Sequence, residues 1–219
     1  PQRCFTIDDI APGARLWGMT AQIHALRMAG DGGSGGFAAI SALAASAARC
    51  GADALALSPS HALFAADPSH YSPYSPSTRL FLNTAHIDPA ATFSQAQIAG
   101  AVNVAEIGEH MARLEALELI DWSASNATRR KLHAALFENF RANGGSHNGP
   151  LAADYQRFRE SCGDALVEHA RFEALHAHYY GADFTRWDWR MWDAPHQDPR
   201  SPAVEAFARD HALEIDFHI

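Results

Sequence analysis

The first sixty residues alternate between apolar segments and glycine-rich breaks in an order that few folds accommodate. An apolar stretch at 14–26 leads into the breaker DGGSGG at 31–36. Apolar residues at helical spacing follow from Phe37, and Gly51 stands where that helix would end. The next segment, ADALALSP at 52–59, is short, apolar and closed by proline, as a buried parallel strand would be. Strand, helix and strand in this order predict a βαβ unit and an α/β fold.

The sequence pattern changes after residue 93. From Ser94, which suits a helix N-cap, apolar residues recur at helical spacing through 94–212 with only loop-like interruptions. We therefore expect 1–93 to form the α/β part and 94–212 to form a helical insertion subdomain.

The last residues, 213–219, alternate apolar and polar side chains as a strand does, with Leu213, Ile215, Phe217 and Ile219 on one side. They predict the start of the next strand. The sequence opens on Pro1 rather than methionine and stops inside this alternation, so we expect a piece of a longer protein.

Bulk composition excludes several classes of function. The 219 residues are 47% hydrophobic and carry a net charge of −8, which argues against a partner with a phosphate backbone. Three widely spaced cysteines without a CxxC pair predict neither a disulfide framework nor a zinc ribbon, and favour a reducing cytoplasm. No apolar run reaches membrane-spanning length and no signal peptide is evident, so no membrane partner is expected.

The most distinctive stretch is HYSPYSPSTRLFLN at 70–83, which we call the aromatic loop. It follows the second predicted strand, and parallel α/β folds bind ligands where their strands end. Its two prolines reduce the entropy lost on ordering around a ligand, and Tyr71 and Tyr74 offer flat apolar faces. Its hydrogen-bonding side chains are Ser72, Arg79 and Asn83. This mixture suits a sugar ring, although a proline-bearing surface loop with a buried tyrosine would look the same.

Several segments together resemble the 4-α-glucanotransferases, or amylomaltases, of glycoside hydrolase family 77. They are RLWGMTAQIHALR, GSGGF, GADALALSPSHALF, SPYSPSTRLFLN and HID, and further on FEALHAHYY, WDWRMWD and SPAVEAFARDHALEIDFHI. They occur in the family's order and cover essentially the whole chain.

The resemblance implies an incomplete (β/α)8 TIM barrel, represented by its first strands, with a large and mostly helical insertion. It implies transfer of α-1,4-glucan segments between maltooligosaccharides through a covalent glycosyl-enzyme, with retention of configuration. In the family the three catalytic carboxylates lie on later strands, so no residue here is assigned a catalytic role. Arg186, Trp187 and Asp188 match part of an Arg-x-Asp-His context, but Trp189 follows. The partners implied are maltooligosaccharides or other α-1,4-glucans, with no cofactor and no metal.

Two residues of the aromatic loop take a binding role from the resemblance. Tyr74 matches a tyrosine that lines donor subsites beside the scissile bond, and Ser72 matches its neighbour. The motif positions His61, Arg79 and Asn83 are expected to be mainly structural. The departures from the family pattern are Ser34, Gly36 and the segment 84–86, where the turn before the first helix and the exit of the loop would differ.

Three other interpretations compete with the sugar site. Gly30, Gly32 and Gly35 fit GxGxxG, but Asp53 begins the second strand instead of ending it, so a flexible turn is favoured over a dinucleotide site. The histidines around 169–178 lack metal-ligand spacing and are expected to be solvated. The tryptophans of RWDWRMW could form a sugar platform but are more typical of core anchors.

The main functional alternative is a non-catalytic α-glucan-binding or interaction module, or a remnant of the enzyme. A glucan hydrolase also stays open, because water and a sugar hydroxyl compete for the same glycosyl-enzyme.

Overall fold

A parallel strand pair joined by a helix forms the N-terminal part of the protein. The computed structural model describes residues 3–145 and 147–219. Strand β1, Gly18–Ala21, pairs with β2, Ala54–Leu57, from Gly18 opposite Ala54 to Ala21 opposite Leu57. Helix α1, Phe37–Arg49, connects them. The strand–helix–strand unit is therefore present where the sequence predicts it.

The glycine-rich turn before α1 is closely packed at two of its glycines. The N–H of Gly35 donates to the carbonyl of His24 at 2.8 Å. A Cβ atom at Gly35 would lie 2.3 Å from the carbonyl oxygen of Ile23, and one at Gly33 would lie 2.6 Å from that of Leu114. Neighbouring backbone occupies the space that a side chain would need at these two positions, whereas a Cβ at Gly30 would meet no atom within 4 Å; flexibility of the turn stays a prediction.

Six helices follow the second strand. They are α2 (Gln95–Val104), α3 (Gly108–Glu115), α4 (Trp122–Ala142), α5 (Ala152–Ala182), α6 (Pro202–Asp210) and α7 (Ala212–Phe217). Ser94 caps α2 as predicted, through a reciprocal pair of hydrogen bonds with Gln97. Helix α5 breaks at Gly163, whose φ of 62° a side chain would disfavour. No third strand occurs within the described ranges.

Two apolar clusters hold these helices together. One joins α2, α3 and α4 through Ala101, Ile107, Leu132 and Leu136. The other packs the second half of α5 against α6 and α7 and includes Ala170, Leu175, Tyr179, Trp192, Val204, Phe207 and Ile215. Trp192 is thus a core anchor, as expected, whereas Trp187 and Trp189 are 45% and 46% exposed.

Residues 213–219 differ from their prediction, because α7 occupies most of this segment. The side chain of Ile215 is buried, and the hydroxyl of Tyr155 donates to Asp216 at 3.1 Å. A strand needs a neighbouring strand to satisfy its backbone, and no strand among the described residues pairs with this segment. A helix satisfies most of its own N–H and C=O groups.

None of the helices in the described part of the chain has the length and apolar character needed to cross a membrane.

Candidate functional site

The aromatic loop is closed at its base by backbone hydrogen bonds just beyond β2. His61 and Leu82 form an antiparallel bridge, and the N–H of Asn83 donates to the carbonyl of Ser60 at 2.8 Å. The N–H of Ala62 donates to the carbonyl of Phe81 at 2.9 Å. The segment 61–82, which contains most of the aromatic loop, therefore begins just after β2 and returns to the same place, so the tip of the loop has a defined position.

The two predicted binding residues lie at the tip of the loop. The side chain of Tyr74 is 75% exposed, so the buried-tyrosine alternative does not describe it. Ser72 is also exposed, and its carbonyl accepts the N–H of Ser75 at 3.2 Å. Nε2 of His70 lies 3.0 Å from the carbonyl oxygen of Ser75. Tyr74 and Ser72 are accessible on an ordered turn, as a binding role requires, and that role stays a prediction.

Beside the tip lies an aromatic stack that the sequence did not reveal. The ring of Tyr71 is parallel to that of Trp122, with centroids 5.4 Å apart. His24 meets the same indole edge-on, with centroids 4.0 Å apart. Trp122 opens α4 and His24 lies just after β1, so the stack joins the ends of both strands to the helical part. The stack depends on contacts between residues far apart in the sequence, so no local spacing predicts a role for Trp122 or His24.

Two of the three motif residues outside the tip make structural contacts. Asn83 accepts the N–H of Ala85 at 3.0 Å and caps the turn Thr84–His86. His61 bridges the loop base, whereas Arg79 is exposed.

Arg129 of α4 connects the two segments in which the sequence departs from the family pattern. Its guanidinium donates to the carbonyl of Asp31 at 2.8 Å, and also to the carbonyls of Ser34 and Ala85. Burial lowers the pKa of Arg129, and the charge of Asp31 partly opposes this shift. One buried cation thus fixes the glycine turn against the exit of the aromatic loop.

The expectation that the α5 histidines are solvated is wrong for His176. Its ring is fully buried, with centroids 4.9 Å from Phe64 and 5.6 Å from Tyr180, and neither nitrogen has a hydrogen-bond partner. Burial lowers the pKa of His176 to about 4. His169 stacks on Phe81 at 5.1 Å. In the parts of the chain that the structure describes, no cluster of three possible ligands could hold a metal ion.

The buried histidines predict a loss of stability in acid. Burial lowers the pKa of His86, His133 and His176 to about 4. In the unfolded chain these rings take up protons near pH 6.5, so the stabilisation present above pH 6.5 is lost as pH falls toward 4. At pH 5 we expect unfolding to take up about three protons at these sites. Ring signals of isotope-labelled histidine would show all three neutral at pH 5, and titration of these folded rings near pH 6.5 would contradict the prediction.

Comparison with known proteins identifies one family. A family model described as 4-alpha-glucanotransferase matches residues 21–219. A curated 4-alpha-glucanotransferase from Haemophilus influenzae (strain ATCC 51907 / DSM 11121 / KW20 / Rd) is 24% identical over 210 residues. The match covers 93% of this chain and 30% of the relative, so the chain spans less than a third of that protein's length.

Proposed function

The chain belongs to the 4-alpha-glucanotransferase family, glycoside hydrolase family 77, and from this membership we propose what the whole protein does. It transfers α-1,4-glucan segments between maltooligosaccharides. The observation that carries the proposal is the family match over 21–219, a range that includes the entire aromatic loop.

In the proposed reaction this chain supplies one wall of the donor site. The ring face of Tyr74 packs against the apolar face of a glucose unit, and Ser72 contributes a hydroxyl to the same surface. The stack of Tyr71 on Trp122 supports the loop from the side of α4. Such a wall holds the donor in place while groups elsewhere in the whole protein carry out the chemistry.

The proposed chemistry is retaining. A carboxylate attacks the anomeric carbon, the bond to the leaving glucan oxygen breaks, and an acid group gives that oxygen a proton. The 4-hydroxyl of an acceptor glucan then displaces the carboxylate and returns a proton to the same group. No side chain in this chain is assigned to these steps, which belong to the remainder of the protein.

The proposed architecture is a (β/α)8 barrel in which β1 and β2 are the first strands and 94–212 is an insertion. Gly18, Met19 and Thr20 of β1 are exposed in this chain, whereas barrel strands are normally covered by neighbouring elements. Their exposure supports the proposal that further barrel elements of the whole protein cover them.

Incubating the full-length protein with maltotriose tests the proposed activity. Transfer makes oligomers longer than maltotriose while the total number of reducing ends stays constant, because each bond broken is replaced by a bond formed. We expect this outcome. Rising reducing ends with only shorter products would instead identify a hydrolase. Binding of maltooligosaccharides without turnover would identify the non-catalytic module.

A further inference from the structure

Helix α5 places one carboxylate inside the protein, against the base of the aromatic loop. Glu173 is 3% exposed, and its Oε2 accepts the N–H of Ala65 at 2.9 Å. Ala65 lies between β2 and the tip of the loop, whereas Glu173 belongs to the helical part, 108 residues further along the chain. This hydrogen bond is a direct link between the two parts.

The segment that Glu173 holds is also the segment that shapes the loop. Ser77 donates both its N–H and its hydroxyl to the carbonyl of Ala62, at 2.8 and 3.2 Å. Ala62 and Ala65 belong to the same segment before the tip, so the carboxylate that holds Ala65 also restrains the segment to which Ser77, beyond the tip, is bonded.

Two further contacts from α5 act on the same loop. Tyr180 donates its hydroxyl to Asp67 at 3.0 Å, and Asp67 also accepts the N–H and hydroxyl of Ser69. The ring of His169 stacks on Phe81 near the return to β2. The segment 61–82, which contains most of the aromatic loop, is thus held along one helix at Ala65, Asp67 and Phe81, and Glu173 is the most buried of the helix residues that hold it.

Resting on the proposed function, we propose that Glu173 is a positioning residue that fixes the aromatic loop, and with it Tyr74, in the geometry that binds the donor glucan. It touches no substrate. It acts through Ala65, and the hydrogen bonds between Ser77 and Ala62 carry this restraint to the far side of the tip.

A packing role alone explains this residue poorly. Oε1 has no hydrogen-bond partner and lies 3.9 Å from Nε2 of His169. An ionised carboxylate with one unsatisfied oxygen in the protein interior costs desolvation free energy that an apolar side chain would not. Glu173 therefore costs stability at a position where it holds a backbone N–H of the candidate binding loop.

The hydrogen bond between Glu173 and Ala65, which we call the anchor, depends on pH in a direction that the pKa of Glu173 determines. Burial raises the pKa of Glu173 to about 7, against the smaller opposing effects of the Ala65 N–H, Ser77 and the charge of Arg130. The charged and titratable groups facing it are Arg130 from α4 and His169 from α5. A carboxylate accepts a stronger hydrogen bond than a neutral acid. The raised pKa means, however, that the closed interior disfavours the ionised form, so opening that exposes Glu173 to water becomes easier as pH rises through 7.

Hydrogen exchange in the full-length protein tests the anchor. After correction for intrinsic exchange, we expect the Ala65 amide to be about tenfold less protected at pH 8 than at pH 6, because opening exposes Glu173 and lowers its pKa. The variant Glu173→Gln keeps the shape of the side chain but does not ionise. It should abolish this pH dependence and raise the KM for a maltooligosaccharide donor several-fold, with a smaller change in kcat. The matched control Glu168→Gln, at a half-exposed carboxylate of the same helix, should change neither.

Each outcome decides the proposal. Equal protection of Ala65 at pH 6 and pH 8 in the wild-type protein would overturn it without any variant being needed. A Glu173→Gln protein that melts earlier but keeps the wild-type pH profile and KM would show a merely structural role. Wild-type protein that shows Glu173-dependent exchange but no transfer from maltotriose would refute the proposed function and leave the loop anchor standing.

Discussion

Replacing Arg129 with methionine should lower the free energy of unfolding by about 3–5 kcal/mol. The guanidinium donates to the carbonyls of Asp31, Ser34 and Ala85, and methionine donates to none of them. A carbonyl left without a donor costs about 1–3 kcal/mol when it is buried, and these three contacts are partly buried, so together they account for the expected loss. Urea unfolding of the full-length variant, followed by circular dichroism, would measure the loss.

Two companion variants separate the contact from the charge. Lys131→Met removes an exposed cation from the same helix and should change stability by less than about 0.5 kcal/mol. Arg129→Lys keeps the charge but loses the planar fork that reaches several carbonyls, so it should resemble Arg129→Met. If Arg129→Met and Lys131→Met lowered the free energy of unfolding equally, the three carbonyl contacts of Arg129 would contribute nothing specific.

Replacing Tyr74 with alanine should lower kcat/KM for donor maltooligosaccharides roughly 30-fold in the full-length protein. The ring is 75% exposed, so an aromatic face is available for a sugar to cover. Covering an aromatic side chain is worth about 2 kcal/mol, which corresponds to this factor. Initial rates of transfer from maltotriose would measure it. Since so little of Tyr74 is buried, the melting temperature should hardly change.

Two control variants test the assignment to the Tyr74 ring, one at position 74 itself and one elsewhere in the aromatic loop. Tyr74→Phe keeps the ring and should retain most of the activity, which assigns the effect to the aromatic face rather than to the hydroxyl. Leu80→Ala removes another exposed apolar side chain of the loop, 76% exposed, and should leave transfer close to wild type. Unchanged donor turnover in Tyr74→Ala would remove Tyr74 from the subsite.

Local sequence signals were sufficient for most of the secondary structure. The helix from Phe37, the short strand ending before Ser58 and the N-cap at Ser94 depend on periodicity, proline and capping chemistry within a few residues. The prediction of a strand at 213–219 was wrong because it also depended on a local signal. Its alternation is local, but a strand is stable only when another strand pairs with it, and α7 forms where none does among the described residues.

The candidate site was only half predictable. The motif around Tyr74 identified the loop, and the family assignment is confirmed. The groups that hold the loop were not visible, because Trp122, Arg129 and Glu173 each act on backbone or rings far away in sequence. A glutamate or arginine inside a helical pattern normally predicts a solvated face. Only the folded arrangement shows these side chains in contact with the loop or with the segments at its base and exit.

The hydrogen bond between Ala65 and Glu173 also sets an order of events during synthesis. The 108 residues that separate them take a ribosome roughly 5–20 s to add, at about 5–20 residues per second. During that interval the aromatic loop of the nascent chain lacks its anchor, and its two tyrosines and several apolar side chains have not yet taken their folded positions. The loop can reach its working shape only after most of the helical part has emerged, so a slow codon cluster or an early pause within 94–172 would prolong its exposure to chaperones and proteases.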